Sequence, residues 1–125
     1  AIVHRAMASF AIKAKNPAQN IATLSGGNQQ KALVARWMEH RPKVLILDEP
    51  ARGIDVGARE DIFRILFSLA ESGMSIILIS SDLNETLGMS HRIAIYRDRR
   101  IVTVLPAAEA DQEKIMKLLT GVQVS

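Results

Sequence analysis

Two kinds of chemistry-bearing residue lie within one stretch, from Leu24 to Asp55. The first is a short turn, Ser25-Gly26-Gly27, placed where a helical pattern begins. Free backbone N–H groups and the helix dipole favour an anion at such a place. The second is the pair Asp48-Glu49, at the end of the apolar run Val44-Leu45-Ile46-Leu47. Two carboxylates closing a buried strand can hold a hydrated divalent metal and activate a water molecule. An anion site and a metal-and-water site in one stretch point to phosphate chemistry. Taken alone, each has a plainer explanation: the first is a capped helix start, and the second caps the loop after a strand.

The elements that must position these residues follow from periodicity. Ile2 to Ala14 reads as a helix with Val3, Met7, Phe10 and Ala11 near helical spacing, ended by Asn16-Pro17. Ser25 is a suitable N-cap for a second helix running to about Glu39. Leu33, Val34, Trp37 and Met38 fall on its apolar face, with Gln30, Lys31 and Arg36 turned elsewhere. Val44–Leu47 then predicts a strand of a parallel sheet covered on both faces. Ala58 to Ala70 is an amphipathic helix, with Ile62, Ile65, Leu66 and Leu69 widened by Phe63 and Phe67, and Gly73 ends it. Arg59, Glu60, Arg64 and Glu71 would face water. Ser75–Ser80 is a second buried strand, completing a βαβ unit. Asp82–Met89 is a short helix capped by Ser81 or Asp82. Arg92–Tyr96 and Ile101–Leu105 form a hairpin, and Glu109–Thr120 is a last helix stopped by Gly121.

Composition narrows the function classes. The chain has 125 residues, a net charge of +3 and no cysteine, so it carries no disulfide and no thiolate metal site. No apolar run approaches the roughly 20 residues of a membrane helix. Arg97, Arg99 and Arg100 are the only dense basic cluster, with Tyr96 the lone aromatic beside them, which argues against nucleic acid as a partner. His4, His40 and His91 show no metal-ligand spacing.

At these residues the sequence resembles the ATP-binding cassette family. Leu24-Ser25-Gly26-Gly27-Asn28-Gln29-Gln30 is similar to its signature motif, Val44–Glu49 to its Walker B strand, and Gly53-Ile54-Asp55 to its D-loop. The trailing Asn-Gln-Gln, with Arg52–Ala58 and Ile79–Leu83, looks most like the second cassette of tandem-cassette importers for ribose, xylose or galactose. The resemblance implies an α/β fold, the carboxy-terminal half of a P-loop (RecA-like) cassette. Residues 1–40 would be the remnant of a helical subdomain with the signature helix. Residues 41–125 would be the RecA-like half with a terminal hairpin and helix.

It also implies roles. Ser25, Gly26, Gly27 and Gln29 would contact the nucleotide held mainly by an opposite cassette, and Asp55 would lie across the dimer seam. Asp48 would hold Mg²⁺ through water, and Glu49 would be the general base. Ser81 takes the place of the family's switch histidine and cannot carry an imidazole's charge or reach, which puts hydrolytic competence in doubt. Ala51 stands where the family usually has threonine or serine, so a hydroxyl's hydrogen bonds are lost. Arg99 falls where glycine is common, leaving the turn type open.

No lysine in the chain follows a glycine, so the phosphate-cradling G-x-x-x-x-G-K-[ST] loop is not among these residues. The abrupt helical start reads as a cut, and the expected parent is an ATPase driving sugar import, with the chain alone inactive. ATP and Mg²⁺ would be its cofactors. A second cassette, a membrane permease and, indirectly, an external sugar-binding protein would be its partners, at the cytoplasmic face of the membrane. Half a sheet would expose an edge and an apolar face, so self-association is expected. Two alternatives remain: a non-catalytic half-cassette serving a partner's P-loop, and a chromosome-maintenance or repair ATPase.

Overall fold

The computed structural model describes residues 1–122 and places them in two compact units, one spanning Ala1–Ile79 and one beginning at Ser80. The first contains α1 (Ile2–Ser9), α2 (Gly26–Met38), β1 (Val44–Asp48), α3 (Val56–Glu71) and β2 (Ser75–Ile79). The second contains α4 (Leu83–Met89), β3 (Arg92–Arg97), β4 (Arg100–Pro106) and α5 (Gln112–Thr120). Single 3₁₀ turns at Ile21–Thr23 and Ala107–Glu109 lead into α2 and α5.

In the first unit β1 and β2 pair in parallel, with Val44 opposite Ser75, Ile46 opposite Ile77 and Asp48 opposite Ile79. Helix α3 joins them, packing on β2 on one side and on α2 on the other. The core is Val34, Ala35, Leu45, Ala51, Ile62 and Leu66. One face of the pair stays open, with Val44, Ile46, Ile77 and Ile79 each about half exposed (49–63%). The strands are thus apolar on both faces but covered on one. Such a pair is the signature of a sheet whose other layer these residues do not supply.

The second unit encloses a core of its own under one face of its hairpin, while Tyr96, Ile101 and Val104 stay exposed. Ile93, Ile95, Leu105 and Ile115 form its buried cluster, with Leu83, Leu87, Val102, Leu118 and Leu119 packed around it. A two-residue loop, Asp98-Arg99, joins β3 to β4, and both residues have positive φ (52° and 63°). That conformation suits the right-handed twist of a hairpin and is adopted here without glycine. The register slips between Ile95 and Tyr96, so that Ile95 faces Thr103 and Tyr96 faces Ile101; Val102 is the extra residue of a β-bulge.

Several expectations need correction. Helix α1 ends at Ser9, not Ala14. Ala11 takes φ 48°, and the Ala11 and Ile12 amides donate to the Ala8 and Met7 carbonyls, a Schellman ending built on alanine where glycine is usual. Leu33 and Trp37, expected on the apolar face of α2, are exposed, whereas Lys31, expected outside it, is buried. The buried stripe is Gly27, Lys31, Val34 and Ala35. Small residues let α2 approach α3 closely, and this selects the face in place of the largest side chains. Phe67 is likewise exposed rather than core. Helix α5 starts at Gln112 because Asp111 is its cap, its Oδ1 accepting from the Lys114 amide at 2.7 Å.

Candidate functional site

Ser25 caps α2 as its type suggests: Oγ accepts from the Asn28 amide at 3.4 Å and from Asn28 Nδ2 at 2.9 Å. Asn28 Oδ1 in turn accepts from the Lys13 amide at 2.8 Å, tying the segment after α1 to the helix entrance. Gly26 is exposed and Gly27 buried. A Cβ at Gly27 would lie 2.4 Å from Ala58 Cβ, a separation real atoms do not reach, and one at Gly26 would lie 3.3 Å from Ile54 Cγ2. Gly27 is therefore required by helix packing, whatever it also offers a ligand. Gln29 turns back, its Nε2 donating to the Leu24 carbonyl at 2.9 Å and bracing the turn from below.

Asp48 closes β1 and is exposed. Glu49 follows with φ 49° while its amide donates to the Ile79 carbonyl at 2.8 Å, so pairing with β2 runs one residue past the strand. A non-glycine residue in this region costs about 1–3 kcal/mol and persists only where its surroundings hold it. Here the hold is the Ile79 bond on one side and a turn on the other, in which the Arg52 amide donates to the Glu49 carbonyl at 3.1 Å. Pro50 and Ala51 within that turn are buried, Ala51 at 1%. A hydroxyl at Ala51 would need a partner inside the core, so alanine fits the packing. Asp55 caps α3, its Oδ1 accepting from the Ala58 amide at 2.9 Å.

Ser81 is exposed just beyond β2. Asp82, not Ser81, caps α4, accepting from the Asn84 and Glu85 amides. Ser80 Oγ donates to Glu85 Oε2 at 2.7 Å and accepts from the Asp82 amide at 3.1 Å, so it organises the turn in which Ser81 stands. Among the described residues no three of His, Cys, Asp and Glu gather into a metal site. Mg²⁺ does not call for such a cluster, since it keeps its waters and binds through one or two carboxylates plus substrate phosphates. Asp48 and Glu49 can supply those carboxylates.

A family model described as ABC transporter matches residues 1–52. A putative ribose/galactose/methyl galactoside import ATP-binding protein of Pseudomonas syringae pv. syringae is 53% identical over 115 residues, 90% of this chain and 22% of that protein. The chain belongs to the ATP-binding cassette family. The ribose import ATP-binding protein RbsA of Streptococcus agalactiae serotype Ia is 51% identical over 110 residues, 88% of this chain. The chain spans about 22% of the length of these cassette relatives. Solved structures carry the fold. An inward-facing putative metal-chelate type ABC transporter superposes with TM-score 0.83 at 17% identity, over 96% of this chain and 47% of that one. A dimeric ATP-binding cassette in a post-hydrolysis state, bound to ADP and Pi, gives 0.71 at 22% identity, over 83% of this chain and 45% of that one. The α/β fold is accordingly that of part of a cassette.

Within this cassette segment the structure brings Ser25–Gly27 and Asp55 to neighbouring helix starts through Gly26–Ile54 and Gly27–Ala58. It sets Asp48 and Glu49 at the end of the parallel pair. Sequence reasoning missed Lys31 and Asp61, whose side chains meet at 2.6 Å between α2 and α3. The Lys31 ammonium, by its hydrogen bond and then its charge, holds the Asp61 carboxyl below its ordinary range against the opposing effect of burial. The available signal was the i, i+4 spacing of Gly27 and Lys31, which puts both on one face of α2.

Proposed function

We propose that these residues are the signature and Walker B part of the second cassette of a tandem-cassette ATPase that powers import of a sugar through a membrane permease. Residues 1–40 serve as the signature-bearing remnant of the helical subdomain, and residues 41–125 as part of the RecA-like body. The observation that carries the reading is Glu49, a carboxylate held in a strained left-handed conformation next to Asp48 at the end of a parallel strand. Strain of this kind concentrates at functional sites. The sugar-import names of relatives just above half identical support the solute class.

In this reading Asp48 would hold Mg²⁺, and Glu49 would take the proton of the attacking water. When bound, the metal offsets the charge that develops on the transferring phosphoryl group. Ser25, Gly26 and Gly27 direct backbone amides at the γ-phosphate of ATP seated in the opposite cassette, with Gln29 bracing their turn, and Asp55 lies across the seam. Ser81 gives no imidazole to that site, which weakens turnover at the site built from this half. The partners are a second cassette and a permease, with an external sugar-binding protein acting through the permease. The place of work is the cytoplasmic face of the membrane. The open sheet face drives self-association when this segment is alone. The absence of any Gly-Lys pair in these residues favours one second reading, a non-catalytic half-cassette that lends its signature to a partner.

Calorimetric titration of the 125-residue chain with Mg-ATP should show no binding tighter than about 1 mM, worth only ~4 kcal/mol. In the intact importer, Glu49→Gln should cut turnover at its own site by about 10²-fold or more with nucleotide still bound. Micromolar binding by the chain would overturn the division of labour. Undiminished turnover in Glu49→Gln would overturn the general-base role.

A further inference from the structure

Lys31 is the only buried charged residue among the described residues, 4% exposed. Its Nζ donates to Asp61 Oδ2 at 2.6 Å and to the Ala11 carbonyl at 3.4 Å. Burying an ammonium costs several kcal/mol unless it is paired and hydrogen-bonded, so this side chain needs both partners. They lie on different segments: Asp61 is on α3, and Ala11 closes the Schellman turn after α1.

The contacts between α2 and α3 run in register. Gly26 faces Ile54, Gly27 faces Ala58, and Lys31 bonds Asp61. Moving from Gly27 to Lys31 advances one turn along α2, and moving from Ala58 to Asp61 advances one turn along α3 in the same chain direction. The amino-terminal ends of the two helices therefore lie at one end of their contact. Those ends are capped by Ser25 and Asp55.

We infer that Lys31 is a positioning residue, which clamps α2, α3 and the end of α1 so that Ser25–Gly27 and Asp55 are presented to the opposite cassette as one rigid block. The inference rests on the reading above, in which these two elements serve a nucleotide held by another cassette. A glycine-to-alanine contact alone would let the helices slide, because two smooth small surfaces fit at more than one offset. A buried charge with a single carboxylate in reach admits one offset only. Asp61 is placed for this: its side chain is 39% exposed beside a groove of about 430 Å³ lined by Phe10, Ala11, Arg64 and Leu69, so it can rehydrate if Lys31 is lost. A variant without the ammonium should still fold.

The test uses the intact protein with Lys31→Met and Lys31→Arg, read by hydrogen exchange and by steady-state ATP hydrolysis. The Gln29 and Arg59 amides, bonded to the Ser25 and Asp55 carbonyls, report the first turns of α2 and α3. In Lys31→Met both should exchange about tenfold faster and in step. The kcat of the site completed by Ser25–Gly27 should fall roughly a hundredfold, with KM for ATP within about twofold. Lys31→Arg, which keeps the charge and the reach, should restore both. Faster exchange at only one helix, or at neither, would overturn the clamp. An unchanged kcat, or a loss confined to KM, would overturn its positioning role. A wild-type protein that does not hydrolyse ATP would instead remove the reading beneath the inference, while the exchange result would still decide the clamp.

Discussion

The two units of the molecule bury their strands differently. In the unit beginning at Ser80 a hairpin and two helices enclose Ile93, Ile95, Leu105 and Ile115, each at most 7% exposed. In Ala1–Ile79 the parallel pair buries Leu45 yet leaves Val44, Ile46, Ile77 and Ile79 half in water, and the residues proposed to do chemistry cluster there. The second unit has an enclosed cluster of aliphatic side chains, although Tyr96, Ile101 and Val104 on its hairpin stay exposed. The first unit keeps one apolar sheet face open, and its close contacts Gly27–Ala58 and Lys31–Asp61 lie next to the caps at Ser25 and Asp55.

The largest effect that would break this contrast comes from substituting one isoleucine in each unit. Ile115→Ala should cost about 2–5 kcal/mol in denaturant unfolding of the second unit. Ile46→Lys should stay within about 0.5 kcal/mol while shifting the sedimentation of the chain toward monomer. Equal losses of stability would show the sheet face to be covered in solution by the chain itself.

A smaller effect sharpens the role of the ion pair. Because Asp61 has a folded pKa below its ordinary value near 3.8, its pairing contributes stability above that pH. The contribution should fade as the pH falls through the lower folded value. Acid titration of the first unit should show this loss, and Asp61→Asn should flatten it. A wild-type curve identical to that of Asp61→Asn would remove the pair from the account. The smallest effect lies at the hairpin: Arg99→Gly should stabilise the second unit by about 0.5 kcal/mol, the relief of a left-handed arginine less the added freedom of glycine when unfolded. Thermal unfolding would read it.

Much of the fold was legible because its signals are local. The strand at Val44, the cap at Ser25, the period of α3 and the stop at Gly121 each follow from residue types and spacing. What escaped depends on a neighbour. Ala11 is no obvious left-handed residue, and it ends α1 five residues early in a turn whose Ala11 carbonyl Lys31 meets. Lys31 reads as a surface lysine until Asp61 is brought beside it by a helix thirty residues later. Leu33, Trp37 and Phe67 have core chemistry, but a close approach at Gly27 turned the helices so that they face outward. At the candidate site the side-chain types of Asp48 and Glu49 were readable. The conformation of Glu49 was not, since it is imposed by the partner strand.

That last dependence has a kinetic side. The hairpin β3–β4 closes across two residues and can form in about 1–10 μs. The pair β1–β2 joins Val44 to Ser75, so it must first close the long loop that holds α3, and that entropy is lost before any strand contact returns it. The bond from the Glu49 amide to the Ile79 carbonyl lies at the far end of this pair. In a refolding chain the strained turn at Glu49 should therefore be completed after the Ser25 cap and the hairpin, which need only local contacts.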